Sequence, residues 1–449
     1  MSFTDLELKM LERVKPTPTE DRRIKDTVAK LQRALKKEIA KTGIKIDTIL
    51  VGSVAKGTHL RGPDVDMFLL FPPDVERKQL ETVGLALGKA VAKGEERYAE
   101  HPYLHGEFDG MEVDIVPSYK IESPEQRMTA VDRTPFHTEF VLKRMEDGQR
   151  DDVRVLKLFM KGTGVYGAEA KIGGFSGYLV ELLILKYGSF RGTLQAAAKW
   201  RVGEALDLGT KPAKEFHDPL IFVDPVDEKR NVAAALSDVM MAQFMQASRD
   251  YLAKQGERFF FPRERKPMPL GDIERLMGRR GTEVVALEFT APDVGEDTVW
   301  PQIKKCERAL CDLFAHHGFK VVDSAVHAPS LHVTVMVELE TAQLPGVLRH
   351  EGPPIDTPNA SEFVEKWRDS PSAMGPPFLA GSRWYVDMAR RHCSARETLE
   401  ASIPMLDLGA HLNGPLRESH KVLRLGDLLK EERRGAMSAL LDKSMPWMV

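Results

Sequence analysis

The sequence predicts an α+β protein of several domains, with a small mixed-sheet head, a helical central domain and ferredoxin-like α+β modules in the C-terminal part. Its 449 residues are enough for about three domains, at roughly 100–200 residues per domain. With 42% apolar and 29% charged residues, the composition is that of an ordinary globular protein. The pattern of the chain changes twice, and these changes predict domains at 1–133, 134–256 and 257–449.

The head alternates between helical and strand patterns. Apolar residues at three- and four-residue steps predict an amphipathic helix over 19–42, and the β-branched run 46–52 predicts a strand. A turn-rich basic stretch, 52–63, leads into a second predicted strand at 64–71, whose apolar tail indicates burial on both faces. The segment 111–119 predicts a third strand. We therefore expect helices packed against a small sheet.

The pattern turns helical from about 134 to 255. Helical spacing of apolar residues predicts helices over 136–145, 151–164 and 176–189. Glycines at the ends of the last two suit the residue that follows a helix, and Ser176 is placed to cap the third.

The C-terminal part returns to strand patterns. A strand at 282–290, a helix at 300–318 and a half-buried strand at 331–340 give the order of a ferredoxin-like module. The Pro- and Gly-rich segment 345–380 predicts loops with one helix, and the last seventy residues look mostly helical. The 300–318 helix should turn Ile303, Cys306, Leu310 and Phe314 inward, and the strand should alternate at Leu331, Val333, Val335, Val337 and Leu339.

Several classes of protein are disfavoured. The longest apolar runs, such as 67–71 and 179–185, are far short of the ~18 residues that span a bilayer, and no signal peptide is visible in the charged N-terminus. Three cysteines favour a reducing, cytoplasmic location over a disulfide framework. Cys306 and Cys311 lie five apart on a predicted helix and cannot share one face, which argues against zinc.

Net charge leaves the type of ligand open. The chain has 64 basic and 67 acidic residues, a balance of −3. A protein that grips RNA by its phosphates is often basic overall, so this balance counts mildly against RNA binding. The local distribution of charge matters more than its sum.

Three carboxylates on two predicted strands are the most informative feature. Asp64 and Asp66 point the same way because alternate residues of a strand share a face, and Asp114 lies on a candidate neighbouring strand. Aligned carboxylates are costly to bury unless a cation offsets their repulsion. They could hold two Mg²⁺ ions, one to activate an attacking hydroxyl and one to neutralise leaving pyrophosphate.

A Gly-Ser turn precedes these carboxylates. Gly52 lets the backbone approach a ligand, and the Ser53 hydroxyl with the following N–H groups can hold phosphate oxygens, with Lys56 and Arg61 adding positive charge. No Walker P-loop pattern is present. A single Asp-x-Asp is often only a solvated strand end, but its combination with the turn and the later strand Asp predicts phosphoryl-transfer chemistry.

The run 52–72 resembles the nucleotidyltransferase superfamily to which DNA polymerase β belongs. Further segments are similar to the archaeal (class I) CCA-adding enzymes, which add C, C and A to tRNA 3′ ends without a nucleic-acid template. The likeness is dense from about 45 to 240 and looser over 257–449. The segments that carry it are 134–141, 154–169, 173–190, 224–237 and 351–367.

The resemblance implies CTP and ATP as substrates and two Mg²⁺ ions as cofactors. It makes Asp64, Asp66 and Asp114 the catalytic metal ligands, with Asp114 nearest the attacking hydroxyl. The departure is His59, where the family pattern leads us to expect Trp. The implied nucleotide-binding residues are Ser53, Lys56, His137, Lys157, Tyr166 and Arg230, of which Arg230 would read the base. Apart from the resemblance, a neighbouring backbone carbonyl or a carboxylate, with Asp227 as the candidate, could accept from the amine of the base.

Each nucleotide-binding residue also has an ordinary structural interpretation. His137 could cap or pack at a helix start, Lys157 could be a solvated helix lysine, Tyr166 a core aromatic and Arg230 a surface residue. The physical case for His137 and Lys157 is the triphosphate, whose charges need cationic or hydrogen-bonding partners.

Two other functions remain open at this stage. A poly(A)-polymerase-like or oligoadenylate-synthetase-like transferase would share the carboxylates but use another acceptor, and a catalytically silent RNA-binding protein would have lost one of them.

For a CCA-adding enzyme, the expected partner is tRNA, bound by the shape of its acceptor and T arms. The basic stretch 417–434 is either part of that surface or a solvated helix. The quaternary state is not fixed by the sequence, and a homodimer is one expectation.

Overall fold

The computed structural model describes residues 3–98 and 100–448. The chain forms two compact units, of which unit 1 comprises Met1–Arg265 with Ser444–Val449, and unit 2 comprises Lys266–Lys443. The chain therefore returns to unit 1 at its C-terminal end, where the ring of Trp447 stacks on that of Phe259 at a centroid distance of 5.9 Å.

Unit 1 contains nine of the described helices and eight of the described strands. The helices are α1 (Asp5–Val14), α2 (Pro18–Ile39), α3 (Gly52–Lys56), α4 (Arg77–Val91), α5 (Thr134–Arg144), α6 (Asp147–Gly162), α7 (Gly177–Tyr187), α8 (Phe190–Ala197) and α9 (Asp238–Ala253). The strands are β1 (Asp47–Leu50), β2 (Val65–Phe71), β3 (Lys93–Tyr98), β4 (Pro102–Phe108), β5 (Met111–Tyr119), β6 (Glu204–Leu206), β7 (Leu220–Asp224) and β8 (Asp227–Asn231).

The head is a five-stranded mixed sheet in the order β1-β2-β5-β4-β3. Strands β2 and β5 run parallel and their register places Asp66 opposite Asp114, while the other pairs are antiparallel. Helices α2 and α4 bury apolar side chains against this sheet. A Cβ atom on Gly84 of α4 would lie 2.6 Å from the Pro117 side chain, so this glycine allows close packing of helix on strand.

The predicted caps of α7 are confirmed. The Ser176 hydroxyl accepts a hydrogen bond from the N–H of Leu179 at 3.2 Å, and Gly188 ends the helix in the left-handed conformation at φ 80°. Helices α6 to α9 share a large apolar core that includes Phe159, Phe244 and many aliphatic residues.

The central region also holds a three-stranded sheet, in the order β6-β7-β8, that the helical pattern did not predict. These strands have only three to five residues each, too few for a period-two pattern to stand out between turn residues.

Unit 2 contains the remaining described elements. Its helices are α10 (Leu270–Arg280), α11 (Glu296–His316), α12 (Ala360–Arg368), α13 (Ala395–Ser402), α14 (Asn413–Glu418), α15 (Leu425–Leu428) and α16 (Arg434–Leu441). Its strands are β9 (Glu283–Thr290), β10 (Val321–His327), β11 (His332–Leu339), β12 (Val347–Pro354), β13 (Phe378–Ala380), β14 (Arg383–Ala389) and β15 (His420–Arg424).

The larger sheet of unit 2 has the order β10-β11-β9-β15, with every pair antiparallel. Helix α11 connects β9 to β10 in the chain. This sheet and helix give the ferredoxin-like arrangement that the sequence predicted. Strands β12, β14 and β13 form a second antiparallel sheet. The α+β fold class, with a mixed-sheet head and additional sheet modules, is confirmed.

Some predicted details are wrong. The stretch 52–63 begins with a helical turn, α3. Strand β11 is buried on both faces, since Val335 and its alternates enter one apolar core and Met336 enters another, whereas Leu331 lies outside the strand and is exposed. The segment 345–380 and the last seventy residues, expected to be loops and helices, also contain strands β12 to β15. The backbone N–H and C=O groups of these segments form their hydrogen bonds within sheets.

Two further expectations concern cysteines and membranes. Cys306 is buried on α11 as predicted, along with Ile303, Leu310 and Phe314. The described cysteines Cys306, Cys311 and Cys393 are all free thiols. No helix in the described part of the chain has the length and apolarity needed to cross a bilayer.

Candidate active site

Three carboxylates lie near the N-terminal ends of two central strands of the head sheet, and we call this group the carboxylate edge. Asp66 lies in β2 directly opposite Asp114 of the parallel neighbour β5, and Asp64 immediately precedes β2. The Asp114 carboxylate accepts a hydrogen bond from Nδ1 of His105 at 2.7 Å. His105 lies opposite Asp114 on β4, so the sheet register fixes this pair.

Neighbouring cations do not balance the negative charge of these carboxylates. Burial, together with the charges of Asp114 and Asp64, raises the pKa of Asp66 to about 7, although Lys56 and Lys157 act in the opposite direction. Burial and a hydrogen bond with Glu112 raise the pKa of Asp64 as well. Carboxyl groups whose pKa values are raised by burial and by mutual repulsion form a site suited to a cation with a preference for oxygen ligands.

The carboxylates are not arranged as a finished metal site. Among residues 3–98 and 100–448, no group of three or more His, Cys, Asp or Glu side chains is positioned to hold a metal ion. Asp114 is engaged by His105, and Asp64 by Glu112. The oxygen-only chemistry and the uncompensated charge nevertheless fit a divalent cation, which would draw these side chains away from their present partners.

Gly52 allows the turn before α3 to approach the carboxylates. Its backbone has φ 72°, which favours glycine, and an added Cβ would overlap the carboxylate of Asp66. Only a residue without a side chain can therefore place Ser53 and the N-terminal turn of α3 beside Asp66.

Helix α6 holds the basic turn in position. Its cationic side chains lie on one face and donate to backbone carbonyl groups that follow α3. The bonds run from Arg150 to the carbonyl of Lys56 (3.1 Å), from Arg154 to those of Gly57 (2.6 Å) and His59 (2.9 Å), and from Lys157 to that of Thr58 (3.1 Å).

The unexpected His59 packs inside this turn. Its Nε2 lies 3.3 Å from Asp21, while its Nδ1 is buried and has no hydrogen-bond partner within the described part of the chain. Burial and the charge of Arg154 lower the pKa of His59, so it is an uncharged packing residue near neutral pH.

Lys56 and Lys157 come together around a buried carboxylate, Glu181 of α7, which is 1% exposed. Lys56 forms an ion pair with Glu181, Thr58 donates to it at 2.6 Å, and Lys157 lies 3.9 Å away. Burial lowers the pKa of Lys157 to about 8, with Glu181 opposing that shift. Two ammonium groups and one carboxylate leave net positive charge beside the Asp cluster.

His137 and Arg230 meet at a second buried carboxylate, Asp224 at the end of β7. Oδ2 of Asp224 accepts from His137 Nε2 at 2.9 Å and from Arg230 at 2.8 Å. Tyr178 donates to the other oxygen at 3.4 Å, and its ring stacks on His137 at 4.1 Å. Burial alone would raise the pKa of Asp224, but the hydrogen bond from His137 and the charge of Arg230 hold it below its ordinary value.

The other expected residues lie around these clusters. Tyr166 is largely buried; burial, with the charge of Glu181, raises its pKa to about 12. A Cβ on Gly177 would lie 3.1 Å from the Tyr166 hydroxyl, so the glycine makes room for it at the start of α7. Asp227 pairs with Arg133 at 2.7 Å and Arg127 at 3.2 Å, rather than with Arg230.

Sequence reasoning missed Glu181, Asp224 and Tyr178. Glu181 is the acidic residue within the apolar run 179–185, and such a group needs a buried partner. Asp224 ends the apolar segment 220–223 and gave a similar signal. Lys56 and His137 lie far from these carboxylates in the sequence, so the signal could mark a buried charge without identifying these partners.

Comparison with protein families accounts for most of the chain. The model described as "Nucleotidyltransferase domain" matches residues 29–137, which contain the three carboxylates. The model "tRNA nucleotidyltransferase, second domain" matches 151–261, and "CCA-adding enzyme, C-terminal domain" matches 280–425. Enzymes of the nucleotidyltransferase superfamily generally use divalent metal ions, in agreement with the chemistry of the carboxylate edge.

Relatives match over nearly the whole length. The CCA-adding enzyme of Haloarcula marismortui is 38% identical over 436 residues, covering 92% of each chain. That of Methanosarcina barkeri is 38% identical over 427 residues, covering 93% of each chain. The enzyme of Methanothermobacter thermautotrophicus is 37% identical over 453 residues, covering 98% of this chain and 97% of its own. The chain belongs to the CCA-adding enzymes, the tRNA nucleotidyltransferases that add C, C and A without a nucleic-acid template.

Proposed function

We propose that this chain completes the 3′ end of tRNA from CTP and ATP at the carboxylate edge of Asp64, Asp66 and Asp114. The observation that carries the proposal is the register that places Asp66 opposite Asp114, close to a buried lysine pair, and the raised pKa of Asp66 agrees with it. A cation is needed on one side of this site and a polyanion on the other. A nucleoside triphosphate with its metal meets both requirements.

The three carboxylates are the proposed ligands of two Mg²⁺ ions. When bound, the ions would neutralise charge on the phosphates and lower the pKa of the attacking 3′-hydroxyl. The protein contributes the parallel register that holds Asp66 opposite Asp114, and His105, which orients the Asp114 carboxylate. A cavity of about 300 Å³ lies beside Asp64 and Glu112.

Lys56 and Lys157 are the proposed partners of the triphosphate, with Ser53 and Tyr166 as hydrogen-bonding groups. In the free protein, Glu181 and Thr58 hold both ammonium groups in place. A bound triphosphate would exceed the charge of Glu181 and engage the excess positive charge. Arg230, held by Asp224, is the proposed base-recognition group, and His137, which binds the same carboxylate, is a further proposed contact of the nucleotide.

The remaining assignments follow from the same reaction. Residues 1–133 would form the catalytic head, 134–256 the nucleotide-binding neck, and 257–449 the part that grips the acceptor and T arms of tRNA by shape. Basic residues of 417–434 are one candidate RNA surface. We also propose a cytoplasmic location for the reaction and a homodimer as one possible quaternary state.

Extension of a tRNA that lacks its 3′ end tests the proposal. The purified chain is incubated with Mg²⁺ and CTP, ATP or both, and the products are separated on a sequencing gel. We expect two C additions with CTP alone and a stop after C-C-A with both nucleotides. A long homopolymer would instead indicate a poly(A)-polymerase-like enzyme, and binding without extension would indicate a silent RNA-binding protein.

A further inference from the structure

The chain re-enters unit 1 after unit 2, and we call residues 445–448 of this stretch the return segment. Trp447 is 1% exposed and its ring stacks on that of Phe259. Its indole N–H donates to Oδ2 of Asp250, on helix α9, at 2.9 Å. Met445 packs against the same apolar core. The return segment is therefore anchored both by an aromatic contact and by a hydrogen bond to a helix.

The return segment packs beside the turn that follows helix α6. Gly164 in this turn has φ 77°, and a Cβ atom built on it would lie 3.4 Å from Cγ of Pro446. Pro446 therefore lies beside Gly164, within the reach of a single methyl group. In addition, Nε2 of Gln243 on α9 donates to the carbonyl of Thr163 at 2.6 Å. Helix α9 and the return segment together support the turn.

The same turn leads into Tyr166. The N–H of Phe175 donates to the carbonyl of Val165 at 2.8 Å, and the N–H of Gly167 donates to the carbonyl of Phe175 at 2.9 Å. The N–H of Val165 donates to the carbonyl of Met160 on α6 at 2.9 Å. The backbone is thus paired on both sides of Tyr166, and the turn sets where this paired segment lies relative to α6.

We propose that the return segment positions Tyr166 for the nucleoside triphosphate, with Trp447 as the anchor and Pro446 as the contact to the turn. The inference rests on the proposed function, in which Tyr166 is a hydrogen-bonding group for the triphosphate. Gly164 needs support because glycine loses more backbone freedom on ordering than any other residue. A neighbour that orders the turn before the nucleotide arrives lowers the entropy cost of binding.

The competing interpretation is that the return segment only fills the core of unit 1. Trp200 provides a matched control, since it is buried in the same core and its indole N–H also donates, to the Tyr187 hydroxyl at 3.2 Å. Its ring lies 5.8 Å from that of Phe244. A change at Trp200 removes a comparable indole from the core and leaves Pro446 beside Gly164.

Pro446→Gly and Trp447→Ala test the positioning role. Both should raise the apparent Kd for CTP and for ATP by about tenfold in single-turnover extension of tRNA lacking its 3′ end, because a hydrogen bond to a charged phosphate is misplaced. The maximal rate should change by less than about twofold, since the carboxylates are untouched. Trp447→Phe retains a ring to stack on Phe259 and should restore most of the nucleotide affinity.

The control variant separates positioning from stability. Trp200→Ala should lower the melting temperature without changing the apparent Kd for CTP. An equal loss of nucleotide affinity in Trp200→Ala and Trp447→Ala would show a general structural effect and overturn the proposal. Pro446→Gly, which leaves both indoles in place, keeps the proposal testable if Trp447→Ala does not fold.

Tyr166→Phe tests the route of the effect. This variant keeps the ring but removes the hydroxyl, so Pro446→Gly should cause little further loss of CTP affinity when it is added to Tyr166→Phe. Losses that multiply in the double variant would show that the return segment acts on the nucleotide by another route, and the proposal would be wrong.

Amide hydrogen exchange monitors the turn without requiring activity. In peptides that cover residues 163–167, Pro446→Gly should speed exchange by about tenfold or more, because the turn opens more often. Trp200→Ala should leave this exchange near the wild-type rate. Unchanged exchange in Pro446→Gly would overturn the inference. Failure of the wild-type protein to add C-C-A would instead refute the proposed function, while faster exchange would still show that the return segment orders the turn.

Discussion

Asp66 of the head sheet and Asp224 at the end of β7 lie in the same unit but have opposite electrostatics. Burial and neighbouring carboxylates raise the pKa of Asp66 to about 7. The pKa of Asp224 lies below its ordinary value, because hydrogen bonding by His137 and the charge of Arg230 outweigh burial. The site around Asp66 requires a bound cation, whereas Asp224 is already paired with the guanidinium group of Arg230. An uncompensated carboxylate thus indicates chemistry, and a compensated one indicates positioning.

The largest expected effect is on catalysis. Asp66→Asn or Asp114→Asn should lower nucleotide incorporation by at least about a hundredfold, because either change removes a charged metal ligand. Single-turnover extension of tRNA lacking its 3′ end measures this effect. Retained tRNA affinity in a filter-binding assay is the control, and near-normal turnover in either variant would contradict the metal assignment.

Glu181→Ala tests how much a buried carboxylate that is already paired with cations contributes to stability. It should lower the free energy of unfolding by about 3–5 kcal/mol, since it leaves Lys56 and Lys157 buried without their counter-ion. Urea denaturation checks the value. Glu139→Ala, which breaks an exposed pair with Lys143, is the control and should cost no more than about 1 kcal/mol. Similar losses in both variants would mean that the buried network is not specially stabilising.

Gly52→Ala tests the close approach to Asp66. Gly62 has a similar backbone conformation, φ 62°, but an added Cβ there meets no atom within 4 Å. Both alanine variants should lose about 1–2 kcal/mol of stability from the left-handed backbone. Gly52→Ala alone should also lose about a hundredfold in incorporation, because its Cβ displaces the Asp66 carboxylate. Equal activities of the two variants would remove the role assigned to the close contact.

The smallest effect is the pH dependence of stability without metal. Because the pKa of Asp66 is raised to about 7, the folded protein binds a proton that the unfolded chain has already lost. Stability should therefore fall as pH rises through about 7, by a few degrees in melting temperature between pH 6 and 8 in EDTA. Mg²⁺ or Asp66→Asn should reduce this fall, and an undiminished slope in Asp66→Asn would assign it to another group.

The sequence predicted the elements that depend on local pattern. Strand alternation placed Asp64 and Asp66 on one face, and the cap at Ser176 required only neighbouring residues. Strands β6 to β8 were missed because they are short, and β11 was taken as half-buried because its second buried face contains polar residues such as Thr334. The type of the long, strongly patterned elements followed from the sequence, whereas the short strands and the exposure of each face depended on what else packed there.

By itself the sequence determined which chemical groups this protein has and which family it resembles, since those are properties of residues and their order. The tertiary structure decided how the groups are paired. Lys56 meets Glu181 across 125 residues of sequence, and His137 meets Asp224 across 87. Hydrogen bonds and charge interactions depend on distance and burial, which no local pattern encodes. Only the folded chain therefore distinguishes the aspartates that await a cation from the aspartate that orients its neighbours.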